Sequence, residues 1–96
     1  MFALVRTKAF MRDVRVYLKR GGDEKRLEAA LRCLRYDVAL PQGFLDHQLH
    51  GKLSSYRELH VEHDWLLVYH RDGKKLIVTC LWLVSHQKLR QRQRGA

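Results

Sequence analysis

The sequence predicts a small α+β two-layer domain, a helix pair followed by an antiparallel meander. Three observations carry this. The chain has 96 residues at 11.4 kDa, enough for one domain with one modest core. Two segments with helical periodicity are joined by Gly21-Gly22. Three strand-like runs follow, and the last two are joined by Asp72-Gly73, a strong hairpin signal.

Phe2 to Val5 is a short apolar run, read as a strand or an entry segment. Thr7 is placed to cap a helix. Phe10, Val14, Tyr17 and Leu18 then recur at spacings of three and four, with Arg12, Arg15 and Lys19 between them. Gly21-Gly22 ends that helix. Asp23 caps a second, whose apolar stripe is Leu27, Ala30, Leu31 and Leu34. So short a connection predicts two helices side by side and antiparallel. Residues 42–55 have no clean period and read mostly as loop, with a short strand near Leu49. Strands are expected over Tyr56–Val61, Trp65–His70 and Lys75–Val84, the first two joined by a tight turn at Glu62–Asp64. The apolar run Leu66–Tyr69 suits a central strand covered on at least one face. From Lys88 onward a frayed basic tail is expected.

Lysine and arginine number 19 against 10 acids, a net charge of +9. A small domain does not need this excess to fold, and self-repulsion makes it costly. The natural partner is polyanionic: nucleic acid, an acidic membrane surface or an acidic protein. The excess is uneven. Residues 1–35 hold ten basic side chains against four acids, and residues 36–96 hold nine against six. The composition excludes wholesale disorder, and the apolar runs are too short to span a bilayer. The start does not read as a signal peptide. Cys33 and Cys80 lie far apart in apolar patterns, as reduced core residues of a cytoplasmic protein would.

All six histidines, at 47, 50, 60, 63, 70 and 86, lie in the C-terminal half. Three uses compete. His47-x-x-His50 and His60-x-x-His63 have the look of paired metal ligands, but no cysteine lies near them and no helix presents them. Surface histidines without a function are common, and His70 beside the hairpin turn fits that description. The third use is acid–base chemistry near neutral pH. Cleaving RNA needs a base for the 2′-hydroxyl, an acid for the departing 5′-oxygen and a cation near the phosphate. Clustered histidines and carboxylates on a basic domain supply all three.

The stretch from Asp46 to Tyr69 is more specific. It contains Asp46-His47-Gln48-Leu49-His50-Gly51, then Tyr56-Arg57-Glu58-Leu59-His60-Val61-Glu62-His63-Asp64-Trp65 and an apolar strand ending in Tyr69. It resembles the YafQ branch of the RelE toxin superfamily, and His86 matches that family's later histidine. The resemblance implies a RelE-like domain with two helices against a curved antiparallel sheet. It implies a type II toxin: an endoribonuclease cutting mRNA in the A site of the 70S ribosome, neutralised by a cognate antitoxin. It implies no metal, no organic cofactor and no membrane partner. His47, His60, Asp64 and His86 match the family's active-site residues. Lys52, Arg57, Glu58 and Arg90 are the expected RNA- and phosphate-binding set, with Arg57 alternatively paired to Glu58 or Glu62. The chain departs from the pattern at His63, where proline is usual, at Leu53, at Ser54, and at Arg90, where a relative has an aromatic residue. A non-catalytic RNA- or antitoxin-binding domain of the same fold is the alternative. Within the site, the expected division of labour is His47 as base, His86 as acid, and His60 and Asp64 as orienting groups.

Overall fold

The computed structural model describes residues 1–95. The end of the expected tail, at position 96, lies outside the described residues. Strand β1 (Ala3–Arg6) leads into helix α1 (Lys8–Lys19), and helix α2 (Glu24–Tyr36) follows. Then come strands β2 (His47–Gln48), β3 (Arg57–Glu62), β4 (Trp65–Asp72) and β5 (Ile77–Val84), and helix α3 (His86–Gly95). Single 3-10 turns at Gln42–Phe44 and Gly51–Leu53 flank β2. No helix among the described residues is long and apolar enough to cross a membrane.

Both expected caps form. Thr7 Oγ1 accepts the Phe10 N–H, and Asp23 Oδ1 accepts the Arg26 N–H. Between the helices Gly21 has φ +83°, and a Cβ on Gly22 would sit 2.5 Å from the Tyr17 ring, so both glycines are required. The helices do not pack chiefly on each other, as the short connection suggested. α1 lies across β5 and α2 across β3. Their buried residues, Phe10 and Tyr17 on one and Leu27, Ala30 and Leu34 on the other, join one core with Leu59, Val61, Leu67 and Tyr69 of the sheet. A sheet face offers each apolar stripe more surface to bury than a neighbouring helix does.

The five strands form one sheet in the order β1-β5-β4-β3-β2. The meander β2-β3-β4-β5 is antiparallel as expected, but β1 pairs parallel to β5, Ala3 opposite Ile77 and Arg6 opposite Cys80. The sheet is therefore mixed. A parallel neighbour needs a long crossover, and most of the chain lies between these two strands. The Asp72-Gly73 hairpin is where it was expected but is not a two-residue turn. Asp72 Oδ1 accepts the N–H groups of Lys74 and Lys75, and Leu76, not Gly73, has positive φ. β5 therefore starts at Ile77.

The C-terminal segment is not a frayed tail. α3 crosses the sheet face opposite α1 and α2, burying Leu89 against Leu53, Leu66, Val68 and Val84. β4 is thus covered on both faces, which explains its continuous apolar run. An ion pair fixes α3 in place. Asp13 of α1 takes two hydrogen bonds of 2.8 Å from the Arg92 guanidinium, and its Oδ2 also accepts the Leu83 N–H at 3.1 Å. Asp13 lies between Phe10 and Tyr17 on the buried stripe of α1, and its position there was the available signal.

Candidate active site

Alternation along β3 sends Leu59 and Val61 into the helix-side core and leaves Glu58 and His60 on the opposite face. β2 pairs beside them with His47 directly across from Glu58. Asp64 sits in the tight turn between β3 and β4, and His86 is the first residue of α3. A bulge at Val61 shifts the pairing from His60–Leu66 to Glu62–Trp65 just before that turn. The four expected active-site residues are brought together by these elements. The rings of His47, His60 and His86 form a row, with centroids 6.2 Å apart for the first pair and 5.4 Å for the second.

Each end of the row has a carboxylate. His86 Nδ1 lies 2.5 Å from Asp64 Oδ1, which also accepts the His86 backbone N–H at 2.9 Å. These contacts, the backbone bond first, hold the Asp64 carboxyl below its usual range. A carboxylate at Nδ1 fixes that nitrogen as the donor and turns Nε2 outward. At the other end His47 Nδ1 donates to the Leu45 carbonyl at 2.8 Å, and His47 Nε2 lies 2.9 Å from Oε1 of the buried Glu58. Both nitrogens of His47 therefore face acceptors. His60 differs. Burial pushes its pKa below the ordinary histidine value, Glu58 opposes this, and His86 and His47 add to it. Its Nδ1 is buried without a hydrogen-bond partner.

The expected phosphate-binding residues divide. Arg57 pairs with neither Glu58 nor Glu62. Its Nη2 lies 3.0 Å from Asp46 Oδ2, and the Tyr69 hydroxyl donates to Asp46 Oδ1 at 2.6 Å. The Asp46 contact raises the Arg57 pKa, while burial and Asp46 raise that of Tyr69. Asp46 is therefore a structural anchor that the sequence left without a role. Glu58 serves His47. Lys52 and Arg90 lie together, with Gln93 and Arg94, around one shallow basic depression. Glu62 accepts the Tyr17 hydroxyl at 2.6 Å and ties the sheet to the helix pair. His70 donates from Nδ1 to the Ser55 carbonyl at 2.8 Å and packs edge-on against Tyr56, away from the row. Among the described residues no group of three or more His, Cys, Asp or Glu side chains is arranged to hold an ion.

A basic α+β domain that carries three histidines and two carboxylates on one sheet face has the form of the small bacterial toxins. The solved structures agree. A copper-bound mutant toxin from Helicobacter pylori superposes with a TM-score of 0.86 at 34% identity, covering 93% of this chain and 99% of that one. The Escherichia coli DinJ-YafQ toxin-antitoxin complex matches with a TM-score of 0.81 at 27% identity, over 92% of this chain and 96% of that one. The chain belongs to the YafQ family: the family profile described as a bacterial toxin of type II toxin-antitoxin system, YafQ, matches residues 2–91. The mRNA interferase toxin YafQ of E. coli strain K12 is 35% identical over 68 residues, 70% of this chain and 74% of that protein.

Proposed function

We propose that this chain is an mRNA interferase: an endoribonuclease that cuts mRNA in the ribosomal A site and is held inactive by an acidic antitoxin. The single observation that carries the proposal is the row His47–His60–His86 with Glu58 at one end and Asp64 at the other. RNA cleavage by its own 2′-hydroxyl needs one proton removed and one delivered, and this row offers a neutral ring beside one backed by a carboxylate.

The sequence placed the base at His47. Its contacts favour a different division, because a base needs a free lone pair and both His47 nitrogens face acceptors. His60, kept neutral by burial, takes the proton from the 2′-oxygen. That oxygen attacks phosphorus, the bond to the 5′-oxygen breaks, and His86 delivers a proton to the leaving oxygen from Nε2. The products are a 2′,3′-cyclic phosphate and a 5′-hydroxyl. Asp64 stabilises the imidazolium of His86. His47, held between the Leu45 carbonyl and Glu58, positions the phosphate, and Lys52 and Arg90 at the basic rim offset charge on the phosphorane.

The test is expression without a partner, with cleavage ends mapped on a translated reporter mRNA. Growth arrest with cuts inside translated codons, insensitive to EDTA once ribosome integrity is controlled, supports the proposal. Unimpaired growth at verified soluble expression, with no cleavage on programmed ribosomes, points instead to a binding module of the same fold.

A further inference from the structure

Next to the Asp64–His86 pair lies a second feature, which the chemistry above does not use and which His60 does not line. A groove of about 640 Å³ runs between α1 and the start of α3, within the ~300–1,000 Å³ range of ligand clefts. Asp64 and Ser85 line it beside His86, Trp65 adds an aromatic side chain, and Arg12, Arg20 and Lys88 also line it. Its charge is one-sided. The acids that line it are Asp13, which Arg92 neutralises, and Asp64, which His86 engages. The three remaining cations are exposed, and among the described residues none of them has a carboxylate within ion-pair distance. Three like charges around one concavity repel one another, so an anionic occupant relieves them.

We propose that this groove is a subsite for the nucleotides downstream of the scissile bond, holding their phosphates on Arg12, Arg20 and Lys88. The direction follows from the chemistry and rests on the acid role proposed for His86. The leaving 5′-oxygen belongs to the downstream strand, so that strand departs on the His86 side. Two of its lining residues are there, Asp64 against His86 and Ser85 just before it in sequence. Trp65 offers the first downstream base an aromatic surface, and an aromatic contact accepts any base. Single-stranded RNA therefore fits the groove better than a duplex, whose bases are already stacked on one another.

The test uses the whole chain and non-cleavable 2′-O-methyl oligoribonucleotides sharing one central dinucleotide. One is extended by two nucleotides downstream and another by two upstream. Anisotropy titrations at low salt should show the downstream extension tightening binding roughly tenfold, as one stacked base with its phosphates does. The upstream extension should add little. The triple variant Arg12→Glu/Arg20→Glu/Lys88→Glu should lose the downstream gain. Its salt dependence with the downstream-extended oligonucleotide should flatten by about 1.4 units in log K against log salt, roughly 0.7 for each of the two added phosphates. Equal gains from both extensions, or a gain that survives the triple variant, would overturn the proposal. So would a variant that loses antitoxin binding but keeps the RNA gain, which would make the groove a protein-docking face. His86→Gln in the same titrations should keep the gain. If that variant still cuts translated mRNA at the wild-type rate, the catalytic assignment fails separately from the groove.

Discussion

Replacing Arg92 with methionine should destabilise the protein well beyond what a surface charge would. Met keeps the aliphatic reach over Trp82, whose ring lies 5.3 Å from the guanidinium carbon, but it removes both hydrogen bonds to Asp13. The Asp13 side chain is 9% exposed and keeps only the Leu83 N–H as a donor. Breaking a fully buried ion pair from one side costs about 3–5 kcal/mol. The Arg92 side chain is 24% exposed, so water reaches part of the site and about 2–3 kcal/mol is the better figure. For a domain of this length that corresponds to a fall in melting temperature of about 10–20 °C. Because α3 begins at His86 and buries only Leu89, loosening it also moves the proposed acid. Cleavage should fall by about tenfold to a hundredfold, as expected for misplacement near 1 Å. The assay is denaturant unfolding paired with cleavage on programmed ribosomes, below the melting temperature of the variant. Adding Asp13→Asn should restore part of the stability, since no unpaired buried charge remains. An unfolding midpoint unchanged by Arg92→Met would show that the pair behaves as a surface contact and that α3 is held by other means.

Two further predictions concern the row itself. His86→Ala and His60→Ala should each reduce cleavage by about 10²–10⁴-fold with antitoxin binding intact, while His70→Ala changes little. A substrate with a good 5′-leaving group should rescue His86→Ala but not His60→Ala, and rescue of both to the same extent would refute the assignment. The pH dependence has a definite sign. The folded-state pKa of His60 is depressed, so the acid limb of the rate profile should fall below the ordinary histidine value of 6.5. Stability should decline as pH drops through that ordinary value, because the unfolded chain takes up the proton first. Asp64 adds stability above the ordinary carboxylate value, which is lost as pH falls through its lowered folded value. In His60→Gln the decline that starts near the histidine value should disappear; if it persists unchanged, another group is responsible.

Local pattern alone located most of the elements. The caps at Thr7 and Asp23, the glycine pair between the helices and the three long strands are all set by neighbours within a few residues, which is the range over which periodicity and turn chemistry act. Which of these residues would be brought together was legible for a related reason. His47, His60 and Asp64 lie in one stretch of sequence whose spacing resembles the YafQ pattern. Long-range placement was decided only by the tertiary structure. A strand's partner depends on what closes the sheet edge, so nothing in Phe2–Val5 itself could signal parallel pairing with β5. α3 is too polar to announce itself, and it is held by Leu89 and by a charge on α1 distant in sequence. Whether a histidine is a base, an acid or a fixed cation depends on its burial and on what faces each nitrogen. For His47 and His60 the groups that bear on it are the Leu45 carbonyl, Glu58 and the packing of the sheet face around them.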